Sequence, residues 1–207
     1  MPECGPPPGR LSPEQDTLLA AGFRLLLDPG ESVAVADLAD LTGWRPSAVE
    51  TELAALSGLG RVQRTEIGRV TGCLGLTLET TNHTISVNGK VRHTWCALDA
   101  FGIMAALRAT GWIDSTNGET GRSFHVDITD GTPRIPESSW VVFILERRAV
   151  NSLIAEWCPL VNMFESAEAA EDWAAARGVG GGCLNLAETA ELGAHLWAPR
   201  INAGLGR

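Results

Sequence analysis

The stretch Thr84-Ile85-Ser86-Val87-Asn88-Gly89-Lys90-Val91-Arg92-His93-Thr94-Trp95-Cys96-Ala97-Leu98-Asp99 reads as a strand, a tight turn, a returning strand and the start of a helix. Thr84 to Val87 is extended in character. Asn88-Gly89 is the pair that best accepts the left-handed backbone of a two-residue hairpin turn. Val91 to His93 begins the return strand. A helix is expected from about Trp95 to Ala109, closed by Thr110-Gly111. A hairpin feeding a helix points to an α+β fold.

The same reading extends in both directions. Upstream, Leu74, Leu76 and Leu78 alternate with Gly75, Thr77 and Glu79, the period of a strand. Residues 11 to 58 read as helical. Ser12-Pro13-Glu14 supplies a cap, a first-turn proline and an early acid, and Leu18, Leu19, Phe23, Leu26 and Leu27 repeat at helical spacing. A second helix spans Val35 to Leu41. After the turn Thr42-Gly43-Trp44-Arg45, Pro46 opens a third, with Val49, Leu53 and Leu56 on one face. Downstream, residues 123 to 129 alternate with Phe124, Val126 and Ile128 on one side, and Trp140 to Leu145 is a buried-strand candidate. Residues 167 to 176 form a helix capped by Ser166. Gly178, Gly180, Gly181 and Gly182 read as a plain connection without the lysine and hydroxyl residue of a phosphate loop. Cys183 to Leu186 suits a short strand, and Glu188 to Trp197 a last helix. The expected architecture is a three-helix part packed on a mixed β-sheet core with flanking helices. The expected divisions are a loose tail over 1–10, a helical subdomain over 11–70 and a core over 71–207.

The chain has 207 residues, with 16 basic and 25 acidic side chains and a formal charge of −9. Charge of that sign argues against a partner held by its phosphates. Helix, Gly-containing turn, helix is also the shape of DNA readers. Between Gly30 and Gly58, however, stand Glu31, Asp37, Asp40, Glu50 and Glu52 against Arg45 alone. A nucleic-acid partner is therefore not expected, and a structural helical subdomain is the better reading. Arg61, Arg64 and Arg69 could form a wing against phosphate, but three scattered arginines read better as a solvated face. No apolar run approaches the length of a bilayer span, and the proline-rich beginning does not resemble a secretory signal. A cytoplasmic location is expected. There the odd set Cys4, Cys73, Cys96, Cys158 and Cys183 stays as thiols. No two lie at C-x-x-C spacing, so any metal site must be assembled by the fold.

Chemistry concentrates in Thr94-Trp95-Cys96-Ala97-Leu98-Asp99. Thr94 can cap the helix and place Cys96 in its first turn, where free amides and the dipole favour a thiolate. Asp99, three residues on, shares that face. A thiol beside a carboxyl gives a nucleophile and a proton carrier, although Asp99 also opposes the thiolate by like charge. The plain alternative is a small buried cysteine with an acid complementing the dipole. Cys158, with Trp157, Val161 and Phe164 as an apolar wall, is a second thiol candidate and equally a core cysteine. Cys73 and Cys183 read as packing residues.

The chain resembles the organomercurial (alkylmercury) lyases of bacterial mercury resistance. The resemblance lies in Gly75-Leu76-Thr77-Leu78-Glu79-Thr80-Thr81, in Trp95-Cys96-Ala97-Leu98-Asp99, in Cys158 with Val161 and Phe164, and in Ala170-Glu171-Asp172-Trp173-Ala174 with the closing helix. It covers roughly residues 33 to 200 and implies a winged-helix-like N-terminal part. It also implies protonolysis, in which R–Hg⁺ and a proton give R–H and Hg²⁺. Cys96 would attack and hold mercury, Cys158 would be the second mercury ligand, and Asp99 would deliver the proton to the departing carbon and stand with the two sulfurs at the metal. No resident cofactor is implied. External thiols act as co-reactants, Hg(II) is the bound product, and small cellular thiols or a mercuric reductase accept it. Mercury is soft and thiolates suit it; two of them push electron density toward the carbon. Trp95, Phe101, Trp157 and Phe164 would line an apolar pocket that excludes water and keeps Asp99 protonated. Two departures stand out. Asn117 occupies the place of a structural cysteine of the family, and Pro159 directly follows Cys158. The rival readings are a family relative that binds metal or organometal through thiols without cleaving it, and a transcription regulator.

Overall fold

The computed structural model describes residues 11–134 and 139–205, so the expected tail over 1–10, with Cys4, lies outside the described residues. The chain opens with helices α1 (Pro13–Leu27), α2 (Val35–Thr42) and α3 (Pro46–Gly58). Ser12 caps α1 in a reciprocal box with Gln15, and Pro13 and Pro46 occupy first turns, where a missing N–H costs nothing. Strands β1 (Val62–Arg64), β2 (Val70–Cys73), β3 (Leu76–Thr77), β4 (His83–Val87) and β5 (Lys90–Thr94) follow, then helix α4 (Ala97–Ala106) and strands β6 (Gly111–Thr116), β7 (Ser123–Thr129) and β8 (Thr132–Arg134). The remainder is β9 (Val141–Leu145), a π-helical turn (Leu153–Trp157), a 3₁₀ turn (Cys158–Leu160), β10 (Met163–Phe164), α5 (Ala167–Arg177), β11 (Gly181–Asn185) and α6 (Leu186–Leu205).

Strands β1 to β8 form one sheet in the order β1-β2-β3-β5-β4-β6-β7-β8, and a smaller sheet runs β10-β9-β11. Every described pairing of these strands is antiparallel. The expected mixed sheet is thus corrected. The crossover through α4 does join two strands of like direction, β5 and β6, but β4 lies between them and pairs antiparallel with both.

Asn88 (φ 50°) and Gly89 (φ 86°) make the hairpin turn with both residues left-handed, as that dipeptide allows. The alternating leucines behave differently. Leu74 (φ 50°) and Gly75 (φ 86°) form a second tight turn, so the alternation spans a bend between β2 and β3 instead of one strand. Gly181 and Gly182 belong to β11, contrary to their reading as a connection. A Cβ on Gly181 would lie 2.3 Å from the Phe143 ring, so glycine lets β11 close over β9.

Helix α4 is buried along almost its whole length, with Leu98, Phe101, Ile103 and Met104 inaccessible. It lies between the large sheet and α6. Its first turn is consequently held by packing on several sides.

Candidate active site

Strand β5 runs through Thr94, and this moves the helix start. The N-cap of α4 is Cys96 itself, in extended conformation (φ −152°, ψ 173°). Thr94 does not cap; its hydroxyl donates to the Cys96 carbonyl at 3.1 Å. Two further bonds fix the corner. Trp95 N–H donates to Gly75 O at 2.9 Å, and Ala97 N–H donates to Val161 O at 3.2 Å. The second satisfies a first-turn amide of α4 with the segment that carries Cys158. Asp99, at the third helical position, reaches back and accepts the Cys96 thiol at 3.0 Å and the Cys96 backbone N–H.

Cys158 sits where the π-helical turn passes into the 3₁₀ turn. Its αR backbone (φ −56°, ψ −40°) is disfavoured ahead of a proline and is held by Val161 N–H donating to Cys158 O at 3.1 Å. Pro159 thereby tightens the loop, and its own carbonyl accepts from Asn162 Nδ2 at 2.8 Å. The preceding turn is tied to the helical part by Leu153 N–H to Leu59 O and Ile154 N–H to Gly60 O. Spacing alone leaves Cys96 and Cys158 as separate candidates, whereas the family resemblance implies that they share one mercury. In the fold one ligand atom each from Cys96, Asp99 and Cys158 lies within 4.8 Å of the others. The three residues are 0%, 4% and 2% exposed.

Burial dominates the electrostatics. It pushes the Asp99 carboxyl up to about 7, against the lowering effect of the Cys96 thiol and backbone N–H. Burial also pushes the Cys96 thiol far up, with the Cys158 thiol and the Asp99 charge adding to it. The Cys96 thiol lowers the Cys158 thiol, but burial and Asp99 more than offset this and leave it raised. The two resting thiols are therefore favoured in their protonated form, the pull of the helix dipole being outweighed by burial, while the Asp99 carboxyl, at about 7, is poised to exchange a proton near neutral pH. A soft cation that takes both sulfurs would release those protons beside a carboxyl able to receive one.

A cavity of about 70 Å³ opens onto this cluster. Trp95, Trp157, Leu74 and Trp197 form apolar walls, and Asp99 and Cys158 are in its lining, whereas Cys96 lies behind them. Phe101 and Phe164, expected as pocket walls, are core residues outside that lining. Sequence reasoning missed two residues. A Cβ on Gly75 would stand 2.4 Å from Asp99 Oδ1, so the Leu74–Gly75 turn backs directly onto the carboxyl. Arg61, read as solvated, lines the cavity beside Cys158. Arg64 and Arg69 were also misread, since Arg64 pairs with Glu50 at 2.7 Å and Arg69 donates to Ser32 Oγ at 2.7 Å. The left-handed demand at Gly75 could have been suspected from a glycine inside an alternating pattern; nothing local marks Arg61.

The other thiols pack as expected: Cys73 is buried with Sγ donating to Leu19 O at 3.2 Å, and Cys183 lies in β11. Asn117 is buried and well used. Its Nδ2 donates to Met163 O at 3.0 Å, and its Oδ1 accepts from Glu119 N–H and Thr120 N–H. It joins the 117–121 turn to β10.

The sequence pattern of the alkylmercury lyase family matches residues 76–198. The chain is 36% identical over 169 residues to an alkylmercury lyase of Bacillus cereus, covering 81% of this chain and 75% of that one. It is 34% identical over 180 residues to one of Staphylococcus epidermidis, covering 86% and 81%. Among solved structures, the mercury-bound form of MerB2 superimposes with a TM-score of 0.83 over 93% of each chain at 22% identity, a likeness of fold.

Proposed function

The chain belongs to the alkylmercury lyase family, and we propose that it cleaves carbon–mercury bonds with Cys96, Cys158 and Asp99. The observation that carries the site assignment is the gathering of two sulfurs and a carboxyl oxygen within 4.8 Å. The overall reaction balances as R–Hg–SR′ plus two protein thiols giving R–H, R′SH and mercury held by the two sulfurs. Cys96 and Cys158 each exchange a proton for mercury. Paired thiolates raise electron density on the carbon. Asp99, already accepting the Cys96 thiol at 3.0 Å, takes one proton and passes it to the carbon. The apolar cavity excludes water, which would otherwise stabilise the carboxylate and slow that transfer.

On this reading no resident cofactor is needed. External thiols carry substrate in and help remove Hg(II), with a mercuric reductase as a further acceptor, and the work is done in the cytoplasm. No described helix is long and apolar enough to cross a membrane. Residues 11–70 are read as a winged-helix-like subdomain, with α1 to α3 followed by the β1–β2 hairpin, packed on a core from 71 to 207. Arg64 in that hairpin is neutralised by Glu50, which fits a packing role better than contact with phosphates.

Sequestration without cleavage would need no acid beside the sulfurs, and the buried Asp99 favours turnover. The test is release of methane or benzene from methyl- or phenylmercury under excess thiol. Cys96→Ser is expected to abolish it. Asp99→Asn is expected to lower turnover by about 10²–10⁴ while mercury binding persists. Undiminished hydrocarbon release from Cys96→Ser would overturn the assignment.

A further inference from the structure

We infer that Arg61 anchors the carboxylate of an acidic carrier thiol, so that this site takes its organomercurial as a complex R–Hg–SR′ in which R′ carries a carboxyl group. The inference rests on the lyase reading above and names the form of substrate that reading leaves open.

Arg61 lines the cavity that also reaches Cys158 and Asp99. It is half-buried, yet its guanidinium makes no hydrogen bond and no salt bridge among the described residues. Its neighbour at the cavity, Arg200, is satisfied: it donates to Asp16 Oδ1 at 2.7 Å and to Leu196 O at 3.0 Å. Burial, then the nearby Arg200, disfavour the Arg61 charge, with Asp16 and Cys158 opposing them more weakly. A partly desolvated cation beside another cation is costly unless an anion completes it.

No described residue supplies that anion, and a ligand entering the cavity can. A guanidinium fork matches a carboxylate with two parallel hydrogen bonds. Organomercury cations travel on thiolates, the soft ligands of any thiol-containing solution, and a small thiol bearing a carboxylate presents both groups together. The chain carries a formal charge of −9, which repels such anions at a distance. A local unpaired cation at the cavity offsets that repulsion where the sulfur must be delivered. The exchange itself is redox-neutral. One Hg–S bond to the carrier breaks, one to Cys158 forms, and the Cys158 proton leaves on R′SH.

The experiment compares methylmercury carried by excess 3-mercaptopropionate, 2-mercaptoethanol or cysteamine. These thiols are of similar size and end in a carboxylate, a hydroxyl and an ammonium. In the wild type, KM is expected to be lowest with 3-mercaptopropionate. Arg61→Met should raise that KM about tenfold and move the cysteamine value far less, with kcat little involved; Arg61→Lys should fall between. Taking each variant against the wild type cancels the intrinsic differences between the thiols. Absence of any carrier preference in the wild type overturns the inference, whether or not the variants fold. An equal loss with all three carriers also overturns it and leaves Arg61 as a partner of the Cys158 thiolate. If no hydrocarbon appears with any carrier, the lyase reading fails instead. Calorimetric binding of the same three complexes then decides the carrier preference by itself.

Discussion

Asp99 shows how one residue couples stability to chemistry. Its carboxyl is raised from an ordinary 3.8 to about 7. Between those values the native protein keeps a proton that the unfolded chain has lost, so stability falls as pH rises through that window. Asp99→Asn keeps the shape but removes the titration. We expect the variant to gain on the wild type between pH 5 and pH 8 by a few kcal/mol, of the order set by about 1.4 kcal/mol per pH unit. Urea unfolding of both proteins at the two pH values checks it, and a constant difference would contradict the burial argument. Gly75 is the neighbouring case. It combines a left-handed φ of 86° with a Cβ position 2.4 Å from Asp99 Oδ1. Gly75→Ala is expected to cost about 1–3 kcal/mol. It should also depress kcat by displacing the carboxyl, while two-thiol mercury binding is retained; denaturation and mercury titration separate the effects. Residues of this kind are half legible. A glycine in an alternating run signals a special backbone, but only coordinates reveal what it touches.

At the scale of elements, the site hangs on the crossing of α4 and α6. A Cβ on Gly193 would come within 2.3 Å of Gly102 Cα, so the two helices meet backbone to backbone. That closeness lets Trp197, one turn further along α6, donate from Nε1 to Leu74 O at 2.8 Å. Leu74 is itself left-handed, and the strain is held by this bond and by the Trp95–Gly75 bond on the other side. Helix α6 therefore positions Asp99 through the turn that backs it. Gly193→Ala should push α6 outward, cost about 1–3 kcal/mol and lower turnover although residue 193 touches no reacting atom. Thermal unfolding together with hydrocarbon release measures both, and full activity in a destabilised variant would disconnect α6 from the site. Caps, first-turn prolines and the Asn88-Gly89 hairpin were readable because each acts within a few residues. The π-helical turn before Cys158 was not, because its geometry answers to Leu59 and Gly60 on a distant segment.

At the scale of the molecule, the large sheet starts in the β1–β2 hairpin beside the helical part and ends at β8, and the cavity takes Leu19 and Arg61 from that part and Trp95, Cys158 and Trp197 from the remainder. Walls shared in this way make the two parts one cooperative unit. A single calorimetric transition is expected, coincident by near- and far-ultraviolet circular dichroism; two resolved transitions would show that the helical part melts alone. The sequence by itself determined the local grammar: three N-terminal helices, the first with its Ser12 cap, the hairpin, the strand over 123–129, and the Trp95-Cys96-Ala97-Leu98-Asp99 run with its thiol and acid on one helix end. Those features follow from interactions between residues a few positions apart, which spacing encodes. The meeting of Cys158 with Cys96, which the resemblance implies and no spacing encodes, took its geometry from the tertiary structure, and only that structure decided that Gly75 backs Asp99 and that Arg61 faces the same cavity. These are contacts between segments far apart in the chain, set by strand order and by the burial of apolar faces, and neither leaves a periodic trace at the residues it brings together.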